Sequence, residues 1–147
     1  MFNNSTRNML SQMGIGLRVD RDAAALAAAT VSYFTVSGVV QITGLYGIMT
    51  VAAVGATTVS WTVNPTAGTT TAISGGTDID TALVGDLIGI TGVLATGVAF
   101  GGAVAGIMQP IVVTAGDIQF ISSAASGSMT THLYYLPLTE GANVVVA

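Results

Sequence analysis

Residues 109–138 limit the possible folds of this chain more than any other stretch of the sequence. They contain three segments rich in β-branched and aromatic residues, Ile111–Val113, 118–121 and 129–136. Short glycine-containing turns separate these segments. Because β-rich segments joined by such turns are typical of neighbouring antiparallel strands, we predict an antiparallel meander here.

The last of these segments alternates between two kinds of side chain. One side carries Met129, Thr131, Leu133 and Tyr135, and the other carries Thr130, His132 and Tyr134. This period of two predicts a strand with one buried face. Pro137 then ends the strand, because proline has no N–H to donate to a neighbour.

Similar short segments begin at Thr30. Residues 31–36 and 39–43 flank Ser37-Gly38, which predicts a hairpin with its turn at Gly38. Residues 58–64 alternate regularly and favour Trp61 as the centre of the core. We expect further short strands over 87–90, 98–100 and 144–146. Thr77 or Asp78 could cap a short helix over 79–84.

These patterns predict a single all-β domain over residues 30–147, folded as a small antiparallel β-sandwich or barrel. Residues 1–29 are predicted to form an extended N-terminal arm. Its first part, residues 1–22, is polar with mixed charge, and the alanine-rich residues 23–29 could form one or two helical turns or a linker.

Charged residues are scarce throughout the chain. They make up 7% of the 147 residues, whereas 51% are hydrophobic, and a soluble domain is normally about a quarter charged. Either the surface is rich in uncharged threonine and serine, or much of it is buried against other subunits, and we favour burial. The net charge of −4, with three arginines that all precede residue 22, argues against a nucleic-acid partner.

A membrane span is an alternative for residues 87–108, which carry no charge. Gly97 and Gly101, and also Gly102 and Gly106, have the spacing that allows transmembrane helices to pack closely. However, no lysine or arginine flanks the segment, and its frequent glycines favour turns between short strands. We therefore expect no membrane association.

The sequence offers little catalytic chemistry. The only histidine is His132, and the chain has no lysine and no cysteine, so a thiolate nucleophile and a lysine-based phosphate loop are excluded. Asp78, Asp80 and Asp86 are spaced closely enough to consider a calcium site, but turn and capping roles fit them better. We predict no enzymatic activity, no cofactor and no metal site.

Residues 33–47 read YFTVSGVVQITGLYG, residues 110–118 read PIVVTAGDI, and residues 134–138 read YYLPL. Together they resemble a family of small β-rich proteins encoded among the head genes of tailed bacteriophages. In that family a hairpin with phenylalanine, threonine, valine and glycine opens the β domain, and a strand end with tyrosine, proline and leucine closes it. The resemblance spans roughly residues 31–147 and leaves out the arm and residues 94–106.

The resemblance implies a capsid decoration or cement protein that binds the outside of the major capsid protein shell as a homotrimer. Its location would be the outer surface of the virion capsid. A trimeric component of a phage tail or fibre is the alternative. Arg7, Arg18 and Arg21 are our candidate contacts to the capsid or a neighbouring subunit, because guanidinium groups bind the carboxylates of an acidic partner in a fork geometry.

Overall fold

Strands account for all the regular secondary structure of the computed structural model, which describes residues 16–104 and 109–147. Within these residues twelve strands form two antiparallel sheets that pack face to face. This arrangement confirms the predicted all-β sandwich.

The first sheet is built around β3 and contains six strands. Their spatial order is β1 (Leu17–Ala25), β11 (Ser128–Pro137), β3 (Val40–Val51), β7 (Leu87–Gly89) and β8 (Ala99–Gly101), and β9 (Ile111–Val113) pairs with the start of β3. All three partners of β3, namely β11, β7 and β9, run antiparallel to it.

The second sheet is built around β10 and also contains six strands. Their spatial order is β12 (Asn143–Val146), β2 (Thr30–Ser37), β10 (Gly116–Ser122), β4 (Thr58–Pro65) and β5 (Thr71–Ala72), and β6 (Thr77–Asp78) pairs with the start of β4. A single parallel bridge between Gly75 and Gly97 joins the loops on one side of the sandwich.

Trp61 lies at the centre of the core, as predicted, and its side chain is fully buried. Phe120 is its register partner on β10, and their rings meet edge to face with centroids 4.8 Å apart. The inner face of the first sheet contributes aliphatic side chains: Ile42, Leu45, Met49, Met129 and Leu133. Burial of these apolar surfaces is the main term that stabilises the sandwich.

A bulge in β2 adds another ring to this core. The pairing of β2 with β10 skips Tyr33, because Ile118 pairs with Phe34 and Gln119 pairs with Ser32. The skipped residue breaks the alternation of faces, so Tyr33 and Phe34 are both buried. The Tyr33 ring lies 5.4 Å from that of Trp61, centroid to centroid, at an interplanar angle of 90°.

The predicted meander and the predicted hairpin are both wrong. Strands β9 and β11 belong to the first sheet and β10 belongs to the second, so each intervening turn carries the chain across the sandwich. The turn at Gly38, whose φ is +74°, likewise connects β2 of the second sheet to β3 of the first. Glycine turns mark where a chain reverses, but the sheet that the next strand joins depends on tertiary packing.

The predicted boundary of the arm is also corrected. Residues 17–25 form β1, which pairs along β11 from Leu17 opposite Tyr135 to Ala25 opposite Ser128. The alanines at 23–25 are therefore part of a strand, and the β domain includes at least residues 17–25 in addition to 30–147. Residues 1–15 lie outside the described residues.

The helix that Thr77 or Asp78 could have capped over 79–84 is absent, and Asp78 and Asp86 stabilise turns instead. The Asp78 Oδ1 atom accepts hydrogen bonds from the backbone N–H groups of Thr57 and Asp80, both at 3.1 Å. The Asp86 Oδ2 atom accepts one from Leu83 N at 2.8 Å. These contacts are the usual means by which aspartate fixes a loop.

The proposed membrane segment contains two strands rather than one helix. Residues 87–89 form β7 and residues 99–101 form β8, and the two strands pair with each other. Residues 105–108 of that segment lie outside the described residues. In the described part of the chain, no helix is long and apolar enough to cross a membrane.

Candidate functional site

The outer face of the first sheet carries five polar and aromatic side chains that contact one another. We call them the Asp20 cluster: Arg18, Asp20, Tyr46, His132 and Tyr134. Strand register brings them together, because Asp20 on β1 pairs with His132 on β11, which in turn pairs with Tyr46 on β3. Arg18 and Tyr134 form the adjacent pair of residues.

Asp20 is the central acceptor of this cluster. Its Oδ1 atom lies 2.6 Å from Arg18 Nε and 2.6 Å from His132 Nδ1. Arg18 Nη2 also lies 3.2 Å from the same Nδ1 atom. Because a carboxylate only accepts and a guanidinium only donates, Nδ1 donates to Asp20 when it carries a proton and accepts from Arg18 when it does not. Partial burial raises the pKa of Asp20, but the hydrogen bonds from Arg18 and His132 outweigh that effect, so the net pKa is lowered.

Two tyrosine rings complete the cluster. The rings of Tyr46 and Tyr134 are nearly parallel, at 19°, with centroids 6.3 Å apart. Tyr46 also lies 5.2 Å from the His132 ring, and the Arg18 guanidinium lies 5.9 Å from the Tyr134 ring centre. A hydrogen bond with Tyr134 and, secondarily, burial raise the pKa of Tyr46.

A glycine allows Tyr134 to lie close against the sheet. Gly44 pairs with Tyr134, and a Cβ atom at Gly44 would come within 3.3 Å of Tyr134 Cδ2. The ring therefore occupies the space above Gly44, which holds it near Tyr46 and Arg18. Any larger residue at position 44 would press on this ring and displace it.

The histidine–aspartate pair resembles part of a catalytic dyad, but its surroundings differ from those of a hydrolase. The side chain of His132 is 13% exposed and that of Asp20 is 47% exposed, on the face of a sheet. Within residues 16–104 and 109–147, no serine or threonine hydroxyl is hydrogen-bonded to His132. A base without a positioned nucleophile lacks the arrangement needed for covalent catalysis. The geometry instead suits recognition of a surface that carries hydrogen-bonding groups.

The three arginines predicted as contacts have different positions. Arg18 is exposed and belongs to the Asp20 cluster. Arg21 points to the interior, where its guanidinium carbon lies 4.0 Å from the centre of the Tyr33 ring. Arg7 lies outside the described residues. The alternation of Leu17, Arg18, Val19 and Asp20 was the local signal that could have separated Arg18 from Arg21.

No local pattern around His132 indicates that this residue lies beside a carboxylate. The two residues are far apart in the chain, and their contact depends on the register of β1 against β11. Long-range register is set by the whole sheet, so a pattern in one strand does not reveal it.

Apolar side chains are exposed at both ends of the sandwich. One group, which we call the β3-end patch, consists of Val51, Val54, Leu83 and Val84, and Val54 is 78% exposed. Backbone hydrogen bonds from Gly85 N to Met49 O and from Ala53 N to Ala82 O place residues 82–85 beside the end of β3. A second group at another part of the surface consists of Leu138, Val145 and Val146.

An open pocket of about 160 Å³ lies where β4 and β5 face β9. Its lining is mainly apolar and includes Val63, Ile73, Leu94 and Ile111. Both β5 and β9 pair with one strand only among the described residues, so each has an open edge there. The pocket has the size and polarity for an apolar side chain.

No protein-family model, no curated protein and no solved structure matches this chain.

Proposed function

We propose that this protein is a structural component of a virus particle, a capsid decoration or cement protein that assembles as a homotrimer on the outside of the major capsid protein shell. The observation that carries the proposal is a surface with exposed apolar side chains at its ends and very few charges. Such a surface is poorly suited to a free monomer and well suited to an assembly.

The β3-end patch supports the self-association part of the proposal. Large apolar groups gathered at one edge exceed the scattered exposure that is normal on a monomer. Leu83 and Val84 are each 66% exposed, and the backbone bonds around them hold them in a defined position. Their burial between three subunits would stabilise a trimer without ion pairs.

The segments that resemble the phage family meet at one end of the sandwich. Val40 at the start of β3 pairs with Val113 on one side and with Pro137 on the other. Gly116 pairs with Val36 in the second sheet, directly across this end. The three segments, which are far apart in sequence, thus form one structural unit, as expected if they define a shared fold.

The Asp20 cluster is our candidate for the capsid contact, and Arg18 is its exposed cation. Because Arg18 and Asp20 are already paired, the cluster is nearly neutral and would add little raw affinity. Paired charges and tyrosine hydroxyls at an interface mainly fix orientation and select the partner. A regular shell requires this kind of orientation.

The test is to mix the purified protein with tailless capsids that lack it and to separate bound from free protein by sedimentation. We expect saturable binding in multiples of three copies per site and capsids that release their contents at a higher temperature. Sedimentation equilibrium of the free protein should give three times the chain mass of 14.7 kDa. A monomer that does not sediment with capsids would contradict the proposal.

Two variants, and a separate binding measurement on isolated tails, make the test specific. Arg18→Met should weaken capsid binding and leave the trimer intact, whereas Leu83→Asp should dissociate the trimer. Thr70→Val, which changes an exposed hydroxyl in the loop between β4 and β5, is the control for both measurements. Binding to isolated tails instead of capsids would favour the tail or fibre alternative.

A further inference from the structure

The only histidine of the chain lies in the Asp20 cluster, and one of its ring nitrogens has two competing partners. His132 Nδ1 lies 2.6 Å from Asp20 Oδ1 and 3.2 Å from Arg18 Nη2. The carboxylate can only accept a hydrogen bond, and the guanidinium can only donate one. Nδ1 has a single position in the ring plane, which holds either a proton or a lone pair. It therefore bonds to Asp20 or to Arg18, but not to both at once.

The charge of the imidazole ring decides between these two partners. A charged ring carries a proton on both nitrogens, so Nδ1 must donate, and Asp20 is its partner. Arg18 Nη2 then faces a positive charge and has no acceptor at this position. A neutral ring carries one proton, and when that proton is on Nε2 the Nδ1 atom accepts a hydrogen bond from Arg18. Histidine is the residue type that changes charge between about pH 5 and pH 8.

Arg18 is the member of this group that is free to respond. Its side chain is 50% exposed, whereas that of His132 is 13% exposed. The His132 ring also packs against Tyr46, with centroids 5.2 Å apart. Repulsion between the two positive charges therefore turns the outer end of the guanidinium away from a ring that stays in place.

Ionisable groups from three strands face His132: Arg18 and Asp20 on β1, Tyr46 on β3 and Tyr134 on β11. Asp22, the other carboxylate of β1, makes no ion pair among the described residues. Strand β7, which lies beyond β3, has no ionisable side chain. Against the effect of burial, hydrogen bonds lower the pKa of Asp20, and a hydrogen bond with Tyr134 raises the pKa of Tyr46. Asp20 therefore stays ionised and Tyr46 stays neutral between pH 5 and pH 8.

We propose that protonation of His132 releases the guanidinium of Arg18 toward an acidic surface of the capsid, so that the Asp20 cluster binds the capsid more tightly at pH 5.5 than at pH 7.5. This proposal rests on the proposed capsid contact. At the higher pH, Arg18 is held by two groups of its own chain. At the lower pH, the cluster gains one positive charge, and the released guanidinium can bind a carboxylate of the partner in a fork geometry.

NMR spectroscopy of the free protein tests the release without any capsid. Because His132 is the only histidine, its ring resonances are assigned without ambiguity. The Arg18 Nε–H resonance is identified by its loss in Arg18→Met. We expect the resonances of both residues to shift between pH 5 and pH 8 with a common midpoint. An Arg18 resonance that stays fixed while His132 titrates would overturn the proposal, and this measurement on the wild-type protein does not depend on the folding of a variant.

His132→Asn is the matched variant, because the asparagine amide is polar but does not titrate in this pH range. In this variant the Arg18 resonance should no longer shift between pH 5 and pH 8. The same shift in the variant as in the wild-type protein would overturn the proposal, since another group would then be its cause. Circular dichroism verifies that the variant is folded.

Capsid binding is then measured by sedimentation at pH 5.5 and pH 7.5, at constant ionic strength. We expect the wild-type protein and the Thr70→Val control to bind about fivefold more tightly at pH 5.5. For His132→Asn the ratio of the two dissociation constants should be close to one, even if groups on the capsid titrate. An unchanged ratio in His132→Asn would overturn the regulation and leave the capsid contact intact. No binding at either pH would instead overturn the proposed function, and with it the regulation of capsid binding.

Discussion

The two sheets use their aromatic residues differently. On the second sheet, Phe34, Trp61 and Phe120 point into the core and are buried. On the first sheet, Tyr46 and Tyr134 point away from the core and form part of the Asp20 cluster. Tyr135 of the first sheet is also buried, so the second sheet places its rings in the core, whereas the first sheet places some rings in the core and displays others to the surroundings.

The inner face of the first sheet contains fewer rings. Apart from Tyr135, the buried hydrophobic side chains of β3 and β11 are aliphatic, and Met129 fills the space above Gly47, where a Cβ atom would lie 2.5 Å from the sulfur. Methionine suits such a gap because its side chain is unbranched and flexible. This difference indicates that the large rigid rings of the second sheet determine the shape of the core. The flexible side chains of the first sheet adapt to that shape.

Truncation of a ring in the core should have the largest effect on the free energy of unfolding. We expect Phe120→Ala to lower the free energy of unfolding by about 3 to 5 kcal/mol, because it leaves a cavity beside Trp61 and Tyr33. Denaturant unfolding followed by Trp61 fluorescence measures the change. The matched outer variant, Tyr134→Ala, should cost about 1 kcal/mol or less. Equal costs for the two variants would show that the outer rings are structural too.

The carboxylate on the outer face of the second sheet should have an intermediate effect. Asp117 accepts hydrogen bonds from Ser32 Oγ at 2.9 Å and Thr35 Oγ1 at 3.0 Å, and it is partly buried. We expect Asp117→Ala to cost about 1 to 2 kcal/mol, because two hydroxyls lose a charged acceptor. Gln119→Ala on the same strand, which loses one long contact of 3.4 Å, is the control and should be nearly neutral in chemical denaturation.

The carboxylate of the first sheet should have the smallest effect, and one that depends on pH. The hydrogen bonds from Arg18 and His132 lower the pKa of folded Asp20, so its ionised form contributes stability above the unfolded pKa of about 3.9. That contribution is lost as the pH falls through the folded pKa. Because the pair is exposed, it amounts to less than about 1 kcal/mol.

Asp20→Asn should therefore reduce the stability difference between pH 5 and pH 2.5, measured by thermal unfolding. Asp22→Asn on the same strand is the control, since Asp22 makes no ion pair among the described residues. An unchanged difference for Asp20→Asn would mean that the ion pairs of the Asp20 cluster do not persist in solution.

Local patterns were sufficient to predict most of the strands. The alternation over 58–64 placed Trp61 in the core, and the alternation over 129–136 assigned the buried face of β11, and both predictions are confirmed. Each depends only on neighbouring residues, since a strand exposes alternate side chains to opposite faces whatever its partners are. The short strands β7, β8 and β12 were predicted from short apolar segments next to glycines or a turn.

These local patterns could not predict which strands pair with each other or which residues form the Asp20 cluster. The residues of the turn at Gly38 would suit a hairpin as well as a crossing between the sheets. Both kinds of turn can use a glycine with a positive φ. Arg21, which shares the inner face of β1 with Leu17 and Val19, concealed this strand, since an arginine on the inner face of a sandwich is an exception to the usual distribution. The partner of His132 is Asp20, which lies on β1. Because β1 was not predicted, the Asp20 cluster was not predicted either.

The pairing of β1 with β11 has a consequence for the time course of folding. Leu17 pairs with Tyr135, so the ribosome must add more than a hundred residues before β1 meets its partner, which takes roughly 6 to 25 s at the usual rate of synthesis. Strand β3 likewise waits for β11, its longest neighbour. The first sheet therefore forms only at the end of synthesis. Until then its apolar strands are exposed to other nascent chains, and a chaperone that covers them would raise the yield of folded protein.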